Sequence, residues 1–166
     1  MKAGSRHGGD SQGSRSDNIM KENIDPKMHT AEHILNQTMV RLFNSGRCFS
    51  AHIEKKKSKC DYRYGRALSE DEIKNLENKI NEIIKADMPV IEKFVTETEA
   101  QNLYTLYDLG DLPDNNSEKY RMIAIGDYDA IPCYGAHVNS TGELGELRIV
   151  SVSFENGVLR IRYKLN

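Results

Sequence analysis

The sequence predicts an α+β domain in which a largely antiparallel sheet carries packed helices, and three observations point there. Two helical stretches open on clear caps, one at Asp25 followed by Pro26, the other at Ser69 with Glu72 three residues on. In "ELRIVSVSFENGVLRIRYKL", Glu155-Asn156-Gly157 joins two runs of alternating apolar residues, a strong hairpin signal. Hairpins and helices are mixed along the chain, the order of an α+β domain.

Residues 1–18, beginning "MKAGSRHGGDSQGSRS", are rich in Gly and Ser with almost no apolar side chains. They cannot offset their own ordering entropy and are expected to be a disordered leader of cloning origin, so His7 is set aside with them. Residues 19–166 are expected to form a single domain, long enough to bury a core. From Pro26, Ala31, Ile34, Leu35, Thr38, Met39 and Leu42 follow helical spacing until Asn44-Ser45-Gly46 ends the run. "CFSAHIE" and "KCDYRYG" flank the basic turn Lys55-Lys56-Lys57-Ser58-Lys59 and fit a hairpin. After the Ser69 cap, Ile73, Leu76, Ile80, Ile83 and Ile84 line one helix face. "PVIEKFV" alternates as a strand, "TETEAQNLY" restarts a helix on a second capping box (Thr96 and Glu99), and "YRMIAI" is a strand ending at Gly126-Asp127.

Composition excludes several classes. With 38% hydrophobic and 29% charged residues the chain reads as globular, and no apolar run approaches the roughly 20 residues that span a bilayer. No secretory signal is evident, so a cytoplasmic location is expected. Cys48, Cys60 and Cys133 are an odd number, which favours thiols or metal ligation over a disulfide framework. A net charge of −2 gives no global drive toward nucleic acid, so any such partner must meet a local patch. Nothing in the sequence fixes an oligomeric state.

Chemistry concentrates in two short motifs. His29 and His33, in "HTAEH", are one helical turn apart on one face, a spacing that suits chelation of one ion but is common by chance. Cys133 and His137, in "CYGAH", repeat that separation. Three of the four histidines outside the leader fall into these pairs. Three imidazoles and a thiolate form a nitrogen–sulfur set that suits zinc better than magnesium or calcium. The alternative is a small buried cysteine with surface or hydrogen-bonded histidines.

"HTAEH" followed roughly a hundred positions later by "CYGAHVNSTGELGE" resembles the HxxxH and CxxxH pair of alanyl-tRNA synthetase editing domains. That domain also occurs as free-standing alanyl-tRNA editing proteins and as the second additional domain of threonyl-tRNA synthetases. "INEIIKADMPVIEKFVTETEA" and "IGDYDAIPC" are similar to its middle segments, so the resemblance spans Met28 to Arg148. It implies the α+β fold common to those editing domains, a zinc ion held by His29, His33, Cys133 and His137, and a mischarged tRNA as partner. The reaction implied is hydrolysis of the aminoacyl ester, typically removing serine from alanine tRNA. No segment resembles an ATP-binding aminoacylation module, so the resemblance implies action in trans without ATP.

The family's second motif is usually CGGTH. Here Tyr134 replaces the first glycine, Gly135 is kept, and Ala136 replaces the threonine. Tyr134 is a candidate to stack on the terminal adenine or narrow the pocket, or else an ordinary packed aromatic. Thr30 and Gln37 are candidates for selecting serine over alanine, since a buried polar group left unpaired by alanine discriminates strongly, and Gly135 is a further substrate-binding candidate. Thr30 and Glu32 are the candidates for catalysis, although Thr30 also suits a surface or backbone-bonding role and Glu32 a solvated helix face. Lys55, Lys56, Lys57 and Lys59, with Lys21 and Lys27, can meet tRNA phosphates or simply be solvated. His52 can line the site or serve structurally, and Cys48 can approach Cys60 across the hairpin. The competing functional readings are the same reaction on serine-charged threonine tRNA, a zinc-containing tRNA-binding module without hydrolysis, and a structural zinc domain with a protein partner.

Overall fold

The computed structural model describes residues 24–166, so the leader expected over residues 1–18 and Lys21 lie outside the described residues. Helix α1 (Pro26–Phe43) starts as its sequence dictates. Asp25 accepts the N–H groups of Lys27 and Met28 at 3.0 and 3.1 Å, and Pro26 occupies a first-turn position where no N–H is missed. Asn44 ends it in the left-handed conformation, φ 52°. From Met28 to Val40 the helix is buried on nearly every face, so it forms the centre of the molecule rather than a surface layer.

Four antiparallel strands, β1 (Ser50–His52), β2 (Ser58–Arg63), β6 (Leu147–Glu155) and β7 (Val158–Leu165), form one sheet in the order β1-β2-β7-β6. Cys60, Tyr62, Leu159, Ile161 and Tyr163 point from it into the main core. Helix α2 (Glu70–Lys85) contributes Leu76, Ile80, Ile83 and Ile84 to that core, with Ile73 half-buried at its edge. Both predicted capping boxes are present, at Ser69 and at Thr96. The β6–β7 turn places Asn156 and Gly157 at φ 51° and 75°, the pair of left-handed residues that a tight hairpin of this hand requires.

The remaining strands form a separate three-stranded antiparallel sheet, β3 (Val90–Thr96), β4 (Lys119–Ile125) and β5 (Asp129–Pro132), in that order. Helix α3 (Glu97–Leu106) packs on it around a second core of Val95, Ala100, Tyr104, Tyr120, Met122, Ala124 and Ala130. The alternation in β3 does not bury a face: Ile91 and Phe94, on opposite faces of this edge strand, are 46% and 61% exposed, and Val95 is its one buried residue. β5 was not expected from the sequence; its four residues are too few to show a period. After β5 the chain crosses back past the start of β3. Val90 N–H donates to Asn139 and Thr141 N–H to Met88, both at 2.9 Å, and a 3₁₀ turn (Thr141–Leu144) then enters the main core. Among the described residues no helix is long and apolar enough to cross a membrane.

Candidate metal centre and cleft

The two motifs meet where the central helix passes the loop after β5. His29 and His33 sit on buried turns of α1, only 3% and 5% exposed. The loop that carries Cys133 and His137 is fastened along its length. Cys133 N–H donates to Arg121 O at 3.3 Å, the Arg121 guanidinium donates to the Cys133 and Gly135 carbonyls, and Val138 N–H donates to Thr30 Oγ1 at 3.3 Å. Behind it the Thr-Gly-Glu segment forms a clasp. Thr141 Oγ1 donates to Ile83 O at 2.8 Å and accepts Met88 N–H at 2.9 Å. Glu143 Oε2 accepts the N–H groups of Asn139 and Ser140 at 2.8 and 3.0 Å. Gly142 N–H reaches Asp87 Oδ1 at 3.0 Å, and a Cβ there would fall 2.4 Å from the same oxygen.

Ligand atoms of His29, His33, Cys133 and His137 all lie within 4.8 Å of one another. Cys133 Sγ is 3.4 Å from His29 Nε2 and 3.5 Å from His137 Nε2. A tetrahedron built on zinc–nitrogen and zinc–sulfur bonds has nitrogen–sulfur edges of about 3.5 Å. The donor set therefore fits a zinc-class ion by chemistry and by spacing.

Hydrogen bonds fix which nitrogen two of the rings offer, those of His29 and His137. His29 Nδ1 donates to Ala136 O at 3.2 Å, which leaves Nε2 as the lone-pair nitrogen facing Cys133. Thr30 Oγ1 gives its only proton to Pro26 O at 2.8 Å, so toward His137 Nδ1, at 3.0 Å, it must accept. His137 thus also presents Nε2. His33 turns Nδ1 toward the fully buried Asp129, with Oδ2 at 3.9 Å. Such partners behind metal-ligating histidines orient them and raise their basicity. Burial, then the neighbouring His29 and Arg121, holds His137 down to about 3, so it is neutral at pH 7 and competent to ligate.

Asp129 is a residue that sequence reasoning missed. Besides His33 it takes Gln37 Nε2 at 3.0 Å and two donors from Arg47 at 2.9 and 3.3 Å. It belongs to the unforeseen strand β5, and only its place within "IGDYDAIPC" hinted at it. Arg121 and Asn36 were missed as well, being ordinary residues of a strand and a helix until the chain is folded.

Beside the cluster opens a cleft of about 1160 Å³, walled by α1, the β1–β2 hairpin, the loop before β4 and the end of β5. His29, His33 and Cys133 line it, as do Glu32, Asn36, Cys48, Phe49 and Tyr134. Of the substrate candidates Thr30, Gln37, Tyr134 and Gly135, only Tyr134 is in its wall, 57% exposed. Thr30 and Gln37 are buried with their side chains directed at His137 and Asp129, and Gly135 is buried with its carbonyl on Arg121. Glu32 is not solvated on a free helix face: it is 16% exposed, and its Oε2 lies 3.9 Å from His29 Nε2. Lys55 reaches the cleft, Lys56 and Lys57 are exposed beside it, and Lys59 pairs with Asp61 at 2.8 Å. His52 lines the cleft from the hairpin, exposed and bonded to Glu54 at 2.7 Å.

Cys48 and Cys60 do approach across the hairpin, and both are free thiols. With Glu32 they form a second group whose ligand atoms lie within 4.8 Å of one another. The Cys48 side chain, burial and the nearby Glu32 push the Cys60 thiol well above its usual range.

Residues 120–162 match the family described as the threonyl and alanyl tRNA synthetase second additional domain. Over 140 residues the chain is 34% identical to an alanine–tRNA ligase of Aeropyrum pernix, covering 81% of this chain and 15% of that protein. It is 31% identical over 139 residues to the Methanopyrus kandleri enzyme of the same name, covering 81% of this chain and 15% of that protein. A Fervidobacterium nodosum alanine–tRNA ligase is 33% identical over 141 residues, covering 80% and 15%. The chain therefore spans about a seventh of the length of these relatives.

Proposed function

Because this chain carries a domain of the alanyl- and threonyl-tRNA synthetase editing type, we propose that it deacylates mischarged tRNA, releasing serine from alanine tRNA at a zinc site held by His29, His33, Cys133 and His137. The observation that carries the reading is the convergence of these four side chains, from motifs about a hundred residues apart, beside an open cleft that His29, His33 and Cys133 line. Zinc, when bound there, supplies Lewis-acid polarisation of a carbonyl or a water.

The protein's own residues supply the rest. Thr30, Ala136 and Asp129 hold the three imidazoles in place. Glu32 is the carboxylate lying against the cluster in the cleft wall, positioned to orient the attacking water and take its proton at Oε2. The exposed ring of Tyr134 offers a stacking face to the terminal adenine, and Lys55, Lys56 and Lys57 meet backbone phosphates; Lys59, paired with Asp61, is the fourth cation of that turn. The ester is already activated, so positioning and charge stabilisation are what the site must provide.

Selection of serine requires a polar group that alanine leaves unpaired. Asn36 lines the cleft, and its Oδ1 already accepts Cys48 N–H at 3.3 Å and the Tyr62 hydroxyl at 2.6 Å. Its amide hydrogens are what remain to offer a serine hydroxyl.

Incubating the zinc-loaded protein with serine-charged alanine tRNA and serine-charged threonine tRNA, while following free serine, tests the proposal. Release from the alanine tRNA, lost in His33→Ala, is expected. Release from the threonine tRNA alone would reassign the substrate. No release from either would overturn the hydrolytic reading and leave a tRNA-binding module, and release that survives His33→Ala would remove the metal site.

A further inference from the structure

We infer that Cys48, Cys60 and Glu32 form a second binding site for a zinc-class divalent ion, adjoining the His29–His33–Cys133–His137 cluster and open to the same cleft. The three side chains come from separate elements: Glu32 from α1, Cys48 from the segment before β1, and Cys60 from β2. Their ligand atoms nevertheless lie within 4.8 Å of one another. Two thiolates and a carboxylate are a donor set that zinc accepts and that magnesium and calcium do not favour. The register places Cys60 opposite Ala51, so β2 turns Cys60 inward while the chain entering β1 brings Cys48 over it.

Glu32 stands between the two groups. Its Oε1 is 3.7 Å from Cys48 Sγ and its Oε2 is 3.9 Å from His29 Nε2, so one carboxylate faces both sites. Paired metal sites of hydrolytic enzymes are close together, and charge allows it here. Three neutral imidazoles and one thiolate leave a filled first site with net positive formal charge. Two thiolates and a carboxylate leave a filled second site with net negative charge, so the two attract rather than repel.

Cys60 closes the bottom of the site, fully buried, whereas Cys48 and Glu32 line the cleft and provide an entry path. Asn36 Oδ1 is nearby, but its lone pairs are engaged by Cys48 N–H and the Tyr62 hydroxyl. The site thus has three protein ligands and an open position toward the cleft, the pattern of a metal that accepts an exogenous ligand. The first cluster offers four protein ligands, so Lewis-acid chemistry there would need an expanded shell or a ligand that leaves. The second site stands on these donors alone and does not require the deacylase reading.

Titration of the reduced, metal-stripped protein with Co(II), following the thiolate-to-cobalt charge-transfer absorption, tests the inference. Two equivalents should bind, with charge-transfer intensity corresponding to three thiolates. Cys48→Ala and Glu32→Gln should each abolish or weaken the second equivalent at least tenfold and leave the first, and both replace half-buried side chains. Conversely, His33→Ala combined with His137→Ala should lose the one-thiolate equivalent and keep the two-thiolate one, which separates failure of the first site from failure of the second. A single equivalent in the wild-type protein, with one-thiolate intensity, would overturn the inference. So would two equivalents that persist unchanged in Cys48→Ala with circular dichroism intact.

Discussion

Thr30 shows how one residue's chemistry is decided by a partner far along the chain. Its hydroxyl donates to Pro26 and accepts from His137 and Val138, which uses its single proton and both lone pairs. Thr30→Val keeps the shape and removes all three bonds, leaving two N–H donors without their acceptor. Zinc affinity should fall by about 10–100-fold in competition with a chromophoric chelator, the usual effect of losing a partner behind a ligand; unchanged affinity would count against this role. The sequence made Thr30 a candidate through its place inside "HTAEH", but not the direction of its side chain. Helical phase assigns a face, whereas the loop that presents His137 lies more than a hundred residues away. Asp129 was invisible for the same reason: nothing in "GDYDAIP" distinguishes a carboxylate that will be buried beneath His33 from one left in water.

At the scale of elements, the helices were legible because their starts are written in local chemistry. Asp25-Pro26, Ser69 with Glu72, and Thr96 with Glu99 all cap as read, and Asn156-Gly157 makes the expected turn. What was hidden is short or depends on neighbours. The 3₁₀ turn and β5 have four residues each, too few for periodicity to speak. The division of the strands into two sheets is set by pairings across the chain that no single segment encodes. The clasp behind "CYGAH" was read only as a sequence signature, and the fold gives it a mechanical meaning. Gly142→Ala would drive a methyl against the Asp87 carboxylate, displacing either the clasp or the helix end that anchors it. A loss of about 1–3 kcal/mol in denaturant unfolding is expected, together with weakened zinc retention; a variant as stable as the parent would show that the clasp yields freely.

For the whole molecule, acid is the expected weak point. In the metal-free protein His137 is held down to about 3, against an ordinary 6.5, by burial first and then by His29 and Arg121. Below pH 6.5 the unfolded chain takes up a proton that the folded one refuses, so stability should fall steadily from that pH toward 3. Asp61, held at about 2 by Arg160 and Lys59 against burial, adds a lower window. Its contribution is complete above the ordinary 3.8 and is lost as pH approaches 2. Thermal melts of the stripped protein across this range should show a declining midpoint from pH 6.5 downward, and a flat profile between pH 7 and 4 would contradict it. The position of the cluster carries a further consequence. Two ligands stand on the helix at the heart of the larger core, and two on a loop leaving the smaller sheet. In polymer terms, an ion held there is a cross-link that closes a loop of roughly a hundred residues. Ile125 and Tyr128 already join the smaller sheet to the larger core by apolar packing, and a bound metal would add a second tie between the two units, coupling their mechanical coherence to the chemistry of the cleft.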